Sequence, residues 1–555
     1  MRKLLILWVL ILLITTGCTP GNPGAAPQSQ ITQPAVELDL TAPVEEPKTA
    51  EPEIEAPTAP QELSRAITSE PNSLDPQGVA GAGQNVVLPY LFDTLVYRDL
   101  DNAYYPYLAE KWDVAEDGKT VTFTLREGIT FHDGSPLDAE AVKFTFDRLI
   151  EQGQRSVLAS LVTNIETIEV KSPTVVTFNF IEPSTTFLSS ISNVYAGIVS
   201  PQAAVEAGDM FGQSPVGSGA YIFEKWEPGV AITLVKNPDY AWAPPVVENQ
   251  GAPKLDRLVF KVIPDVSQQV TALQAGEVDV LFVNQTSHVA KLEAEPNVEL
   301  VETTLNSLVY LGFNLSKAPF DDVRVRQALS HAVNKDELVQ VALGGIGEPA
   351  FAPLAPTLPG FDAALKEHEL GFDPEKSKAL LEDAGFVQSV DGVWTKDGEA
   401  LTVTMLTSTR PPNQALATVL QSQLKAAGVQ VDIQLLDSAA AQEAAGQGNF
   451  DLLLWRYDWN DADVLRVYLS TARIGRTNRN FYSNPQVDAL LDQAAAEMDE
   501  AARNALYLEA QQMILEDAPW QPLYTPKDYM AIRTDVDNVV MGPMGRMMLN
   551  DAVKR

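Results

Sequence analysis

The chain has 555 residues, 45% of them apolar, enough for a sizeable core and roughly three or four domains. Its formal charge is -35, from 39 Lys+Arg against 74 Asp+Glu, a field that repels nucleic acid and anionic headgroups and excludes both as partners. Its one cysteine, Cys18, excludes an internal disulfide and a thiol nucleophile in the folded body.

The first element is an export signal, MRKLLILWVLILLITTGC. Arg2 and Lys3 form a positive start, and Leu4 to Ile14 form an apolar run too short to span a bilayer comfortably. Small residues then lead directly to Cys18, which resembles a bacterial lipoprotein signal whose cysteine is acylated. The pattern departs at Thr15, where Leu is usual. A plain signal peptide or an uncleaved anchor exports the chain equally. Residues 19–62 are rich in Pro, Ala and Glu without apolar periodicity, and are expected to form a disordered tether.

In the body, Gln84 to Leu100 is apolar almost throughout and suits a buried helix. Thr120 to Arg126 alternates, with Val121, Phe123 and Leu125 on one face of a strand, and Asp117-Gly118 before it suits a hairpin turn. Ile129 to Phe131 is expected to continue that sheet. Asp138 suits the cap of a helix carrying Val142, Phe146, Leu149 and Ile150 on one face, and Val176, Phe178 and Phe180 alternate as a strand. Leu258–Ile263, Ser267–Ala275 and Val278–Val283 read as a strand–helix–strand unit with a parallel pair. Further on come a helix through Val325–Val333, a helix from Asp373-Pro374 to Gly385, a strand at Leu401–Leu406 and a helix at Gln414–Ala427. A strand at Val429–Leu435, an apolar run at Phe450–Trp455 and a helix at Ala501–Glu516 follow. The alternation makes the class α/β.

Three long stretches carry a resemblance. They are LAEKWDVAEDGKTVTFTLREGITFHDGSPLDAEAVKFTFDRL at 108–149, SPVGSGAYIFEKWEPGVAITLVKNPDY at 214–240 and YLGFNLSKAPFDDVRVRQALSHAVNKDELV at 310–339. Weaker ones are SEPNSLDP, FDPEKSKALLEDAGF and NFYSNPQVDALLDQA. In this order they resemble extracellular solute-binding proteins of family 5, the oligopeptide-, dipeptide- and nickel-binding group. The resemblance implies a periplasmic-binding-protein-like α/β fold of type II in its three-domain variant. One lobe is expected from 63–91, 199–305 and 521–555, a small extra domain from 92–198, and a second lobe from 306–520, with hinge crossings near 305 and 520. The implied function is capture of oligo- or dipeptides outside the cytoplasm and delivery to an ABC permease. The protein is expected to be a monomer with no cofactor, no metal and no catalytic residue, held to the membrane through Cys18.

In the family's peptide binders an Asp shortly after a Trp pairs the ligand's α-amine, and the matching stretch is LLLWRYDWNDADVL at 452–465. Counting from Trp455 gives Asp458, the preferred reading, and Asp458→Ala is then expected to weaken peptide binding strongly. Counting from Phe450-Asp451 gives the neutral Asn460, with Tyr457 in place of the Trp, and Asp461 is a third reading. Trp455, Tyr457 and Trp459 are candidate cleft walls. The family alignment anchored on SLDP adds Gly81 and Ala82, and Gly78, Gly81 and Gly83 suit close approach of backbone to a ligand.

Other signals carry no chemistry. DVAEDGKT lacks the first glycine of a phosphate loop and leads into a strand, and Gly217-Ser218-Gly219 lacks the spacing of a nucleophile elbow. His132, His288, His331 and His368 have no metal-ligand spacing. The rival readings are the same fold binding a nickel chelate, an oligosaccharide or another small solute, and an exported hydrolase, for which no triad or metal cluster is apparent.

Overall fold

Three sheets organise the chain. The computed structural model describes residues 60–78, 83–153 and 158–555, all within one compact unit. Cys18, the tether up to its last residues, Gly81 and Ala82 lie outside the described residues. Among the described residues no helix is long and apolar enough to cross a membrane.

The first sheet has seven strands in the order Val298–Thr304, Lys527–Arg533, Val280–Val283, Glu62–Ile67, Arg257–Val262, Ala231–Lys236 and Tyr221–Glu227. The strand–helix–strand unit is present, with its helix at Val266–Ala275, but its two strands are not neighbours. Glu62–Ile67 lies between them, parallel to both. The reason is burial: Leu63 and Ile67 enter the core on one face and Ala66 the core on the other, so this strand belongs at the centre of the sheet.

The second sheet has six strands in the order Glu348–Pro349, Trp520–Thr525, Ser307–Phe313, Leu452–Asp458, Thr402–Ser408 and Gln430–Leu436. The third is an antiparallel sheet of Ala109–Val114, Thr120–Leu125, Val175–Phe180 and Ile165–Ser172. Its inner face is the expected one, with Val121, Phe123 and Leu125 at most 2% exposed. Gly118 takes a φ of 65° in the hairpin, and the Asp138 carboxylate accepts the Ala141 N–H at 3.0 Å to cap helix Ala139–Gln152. Ile129 to Phe131 does not continue the sheet: Ile129 and Phe131 are buried, and between them Thr130 makes a single bridge to Pro136.

The helix expected over 84–100 stops at Leu91, and Val96–Arg98 is a short strand. An unbroken apolar run marks burial without marking period, and here it spans two elements. The end of this helix explains Gly217 and Gly219. A Cβ on Gly217 would stand 2.0 Å from the Leu91 carbonyl oxygen, and one on Gly219 would stand 2.3 Å from that of Tyr90. Gly217→Ala is therefore expected to cost at least about 2 kcal/mol in urea unfolding. A neutral result would mean that the turn shifts freely. Between the two glycines, Ser218 donates to the Asp93 carboxylate at 3.0 Å. Asp93, 1% exposed, also accepts from Trp242 Nε1 at 2.8 Å and from the Tyr107 hydroxyl. It joins the elements around the third sheet to the turns of the first.

The chain passes between the first and second sheets twice. Val298–Thr304 leads through Leu305 and Asn306 into Ser307–Phe313, and Trp520–Thr525 leads through Pro526 into Lys527–Arg533. The Leu305 N–H donates to the Pro526 carbonyl at 3.2 Å, so the crossings lie side by side. The second crossing is at Pro526 and not near 520, because Trp520–Thr525 is paired within the second sheet.

Candidate functional site: a two-chambered cleft

Two chambers meet where the segment after the third sheet faces the second sheet. The larger, of about 720 Å³, is bordered by Glu182–Thr186 and Ser189 on one side and by Asp458–Asp461, Asp463 and Asp492 on the other. The smaller, of about 110 Å³, is bordered by Asn85, Arg98, Asn306, Thr357 and Arg546. Ser189, Asn193 and Asn460 border both.

The end of strand Leu452–Asp458 builds one wall. Alternation puts Leu452, Leu454, Arg456 and Asp458 on one face and Leu453, Trp455 and Tyr457 on the other. Arg456 and Asp458 are thereby same-face neighbours and pair bidentately, with Nε 2.8 and 3.0 Å from the two carboxylate oxygens. Asp458 borders the larger chamber, but its charge is already met by Arg456 and its side chain is 55% exposed.

Tyr457 does not wall the cleft. It is fully buried, and its hydroxyl donates to the Pro353 carbonyl at 2.9 Å and accepts the Ala355 N–H at 2.9 Å. Burial pushes that hydroxyl well above its usual range. Trp455 packs half-buried beneath the Arg479 guanidinium, 5.1 Å from the ring centre, and does not border either chamber. Trp459 borders the larger chamber, edge-on to Tyr468. Asn460 sits at the junction: its side-chain oxygen accepts from Asn306 Nδ2 at 3.3 Å, and its carbonyl lies 3.5 Å from Ser189 Oγ. Asn306 in turn belongs to the first crossing between sheets.

Asp461 is the distinctive carboxylate. Burial pushes it up to about 6, and the neighbouring Asp463 adds to the rise. The Asp463 N–H at 2.9 Å, Arg98 and Arg503 pull the other way. Asp463 is met by Arg466, with Nε at 2.6 Å, whereas no cation of the described residues lies within 4.0 Å of Asp461. Asp461 thus borders the larger chamber as a carboxyl with no ion pair within 4.0 Å among the described residues, with Arg98 and Arg503 acting on it from farther away. Its distinction from Asp458 rests on burial and pairing, which neither spacing nor residue type reports.

On the side of the first sheet, Asn85 and Pro89 of helix Gln84–Leu91 border the smaller chamber. Gly83 does not serve close approach to a ligand: a Cβ there would stand 2.7 Å from the Ser69 carbonyl oxygen, so the space it leaves is filled by the protein's own backbone. Gly78 borders a separate surface hollow with Asp75 and Arg148. Arg98, in the small chamber, has no sequence signal at all.

Residues 103–475 match the family model described as "Bacterial extracellular solute-binding proteins, family 5 Middle". The glutathione-binding protein GsiB of Pectobacterium atrosepticum is 30% identical over 473 residues, which span 83% of this chain and 88% of that protein. Heme-binding protein A of Haemophilus influenzae is 27% identical over 494 residues, spanning 84% and 87%. The solved structure of the periplasmic binding protein DppA from Helicobacter pylori, in complex with the peptide STSA, superimposes with a TM-score of 0.70 at 26% identity, covering 89% of this chain and 98% of that one. The chain belongs to family 5 of the bacterial extracellular solute-binding proteins, and its α/β architecture is the periplasmic-binding-protein fold of that family.

Proposed function

We propose that this protein is the capture component of an ABC importer, and that its solute is a short peptide or a peptide-like molecule bearing a free ammonium. The observation that carries the reading is Asp461, a desolvated carboxyl without a counter-charge at the border of the larger chamber. A ligand ammonium there removes the cost of burying an unpaired charge. Asn460, Asn306 and Asn193 offer amide donors and acceptors that suit a peptide backbone and are indifferent to its side chains. Relatives named for glutathione and a structure holding a tetrapeptide support the same class. The heme-binding relative supports it less, because five carboxylates, Glu182, Asp458, Asp461, Asp463 and Asp492, border the larger chamber against two cations, Arg466 and Arg473, and Arg466 is already held by Asp463.

In this reading the first and second sheets centre two lobes that close by bending at Leu305–Asn306 and Pro526. The lobes run over 60–91, 199–304 and 527–555, and over 307–525, with the smaller domain at 92–198. Acylation at Cys18 holds the protein on the outer face of the membrane, next to its permease. Contacts such as Asn102 Nδ2 to the Thr357 carbonyl at 2.9 Å and Thr185 Oγ1 to the Ala495 carbonyl at 3.0 Å fit a closed arrangement.

The test is capture. The protein, freed of any bound solute by unfolding and refolding, is incubated with a library of random tripeptides, washed, and unfolded again to release what it kept. Intact peptides at about one per protein, with a raised melting temperature, are expected. Recovery of cleaved fragments would make it a hydrolase, and recovery of nothing removes the peptide reading.

A further inference from the structure

We propose that Ile346 is the ball of a ball-and-socket joint, a third link between the lobes beside the two crossings, which stays seated while the cleft opens and closes. This rests on the reading of two lobes that close over a solute, and adds to it a place where they stay joined.

One face of the first sheet buries a core that includes Ala66, Leu281, Val283, Val289 and Ala531. Among the described residues, every member of that core but one falls within 60–91, 199–304 or 527–555. The exception is Ile346, 8% exposed. Its chain is anchored elsewhere on both sides. Helix Lys335–Leu343 before it puts Leu338 and Val339 into the core of the second sheet, and Glu348–Pro349 after it pairs with Thr525 and Tyr524 of that sheet. A side chain of one lobe is thus planted in the interior of the other.

The backbone is built to reach across. Thr286, at the start of helix Thr286–Glu293 on the first sheet's side, donates its hydroxyl to the Leu343 carbonyl. The two segments meet so closely there that a Cβ on Gly344 would stand 2.6 Å from Thr286 Oγ1. On either side of Ile346, Gly345 takes a φ of 92° and Gly347 one of 146°, values that residues with a Cβ resist. Neither position has a side chain to obstruct rotation, so the segment can swivel while Ile346 holds still.

Both position and chemistry keep the joint engaged. Glu348 pairs with Thr525, the residue before the Pro526 crossing, so Ile346 sits close to the crease, where a rotation displaces atoms least. The contacts from Asn102 to Thr357 and from Thr185 to Ala495 are single hydrogen bonds, which water replaces at little cost. Withdrawing Ile346 would instead expose an apolar side chain and empty its socket.

The rivals are a residue that only fills a core and a clasp that lets go when the cleft opens. A covalent tie separates them. In a Cys18→Ser background, Thr286→Cys and Gly344→Cys are joined by oxidation. A Cβ on Gly344 would stand 2.9 Å from the Thr286 Cβ, about 1 Å nearer than a disulfide holds such atoms, so a small retreat suffices. Ile346→Asn, or Ile346→Ala if the Asn variant does not fold, is expected to lower tripeptide retention about tenfold in the capture assay and to raise the radius of gyration of the empty protein in solution scattering. Ile346→Val should do neither. Oxidising the cysteine pair in the Ile346 variant restores both readings, and oxidising it beside an intact Ile346 changes capture and release by less than about twofold. No restoration makes Ile346 a core residue only and overturns the joint. Capture or release blocked by the tie makes the contact a clasp, and cysteines that fail to join mean that the seat is empty in solution; either result overturns the joint as well. If wild type retains no tripeptide, the peptide reading fails, and the scattering arm alone still decides the joint.

Discussion

Asp461→Asn is expected to lower the affinity for tripeptides with a free amine by about 100-fold or more, and to make the empty protein more stable near neutral pH. The first effect follows from leaving a buried ligand ammonium without its counter-charge. The second follows from the sign of the shift. The carboxyl stands at 3.8 in an unfolded chain and at about 6 in the folded one, so between these values the folded state holds the extra proton. Stability therefore falls as pH rises through that window, and the cost is fully present above it. Asn removes the cost. The groups around the carboxyl are Asp463 on its own loop, Arg98 beside Tyr104, and Arg503 and Tyr507 from helix Glu500–Asp517.

The pH dependence of binding has the opposite sense. A ligand ammonium favours the ionised form, so affinity is full above about 6 and declines by up to tenfold per pH unit below it. Calorimetry across this range on wild type and on Asp461→Asn checks both effects. Asp528, also pushed to about 6 by burial, lies by Asn284, Arg456 and Asp458, and it should leave a residual pH dependence of stability in the variant. Asp458→Asn is the decisive contrast, expected to cost less than about tenfold because Arg456 already meets that charge. If the two variants trade places, Asp458 is the ammonium partner and the register counted from Trp455 holds.

Asp93→Ala has the largest expected effect on folding, a loss of about 3–5 kcal/mol in urea unfolding. One carboxylate there serves Ser218, Trp242 and Tyr107, with Tyr240 Oη 3.5 Å away and Arg546 close enough to feel its charge. Its removal leaves buried donors without acceptors and opens a void at the join between the third and first sheets. Asp93→Asn keeps one acceptor oxygen and should cost less than half as much. A loss below about 1 kcal/mol for the Ala variant would mean that water replaces the carboxylate there.

Local order was legible where a period of two or three and a half was clean. Thr120–Leu125, helix Ala139–Gln152 with its Asp138 cap, and helix Pro374–Asp383 begin and end close to where the pattern places them. Legibility failed where the deciding partner is distant in sequence. Nothing local in Glu62–Ile67 indicates that it separates two strands about two hundred positions on, and nothing in Gln84–Leu100 marks the turn at Leu91 that meets Gly217 and Gly219. The site failed in the same way. WRYDWND contains every acidic and aromatic candidate, but strand alternation sends Tyr457 into the core, same-face pairing engages Asp458 with Arg456, and desolvation without an ion pair distinguishes Asp461.

The paired crossings at Leu305–Asn306 and Pro526 constrain how the molecule can flex. Two adjacent ribbons joined edge to edge resist sliding and stretching but yield to folding about their common line, like a strip of tape between two boards. Because Asn306 is part of one ribbon and also touches Asn460 at the cleft, a solute that pulls on Asn460 pulls on the crease itself. In the proposed role as a capture component, occupancy of the cleft and the angle at the crease are a single variable, and the permease of that proposal reads whether cargo is aboard from the spacing of the two boards without touching the cargo.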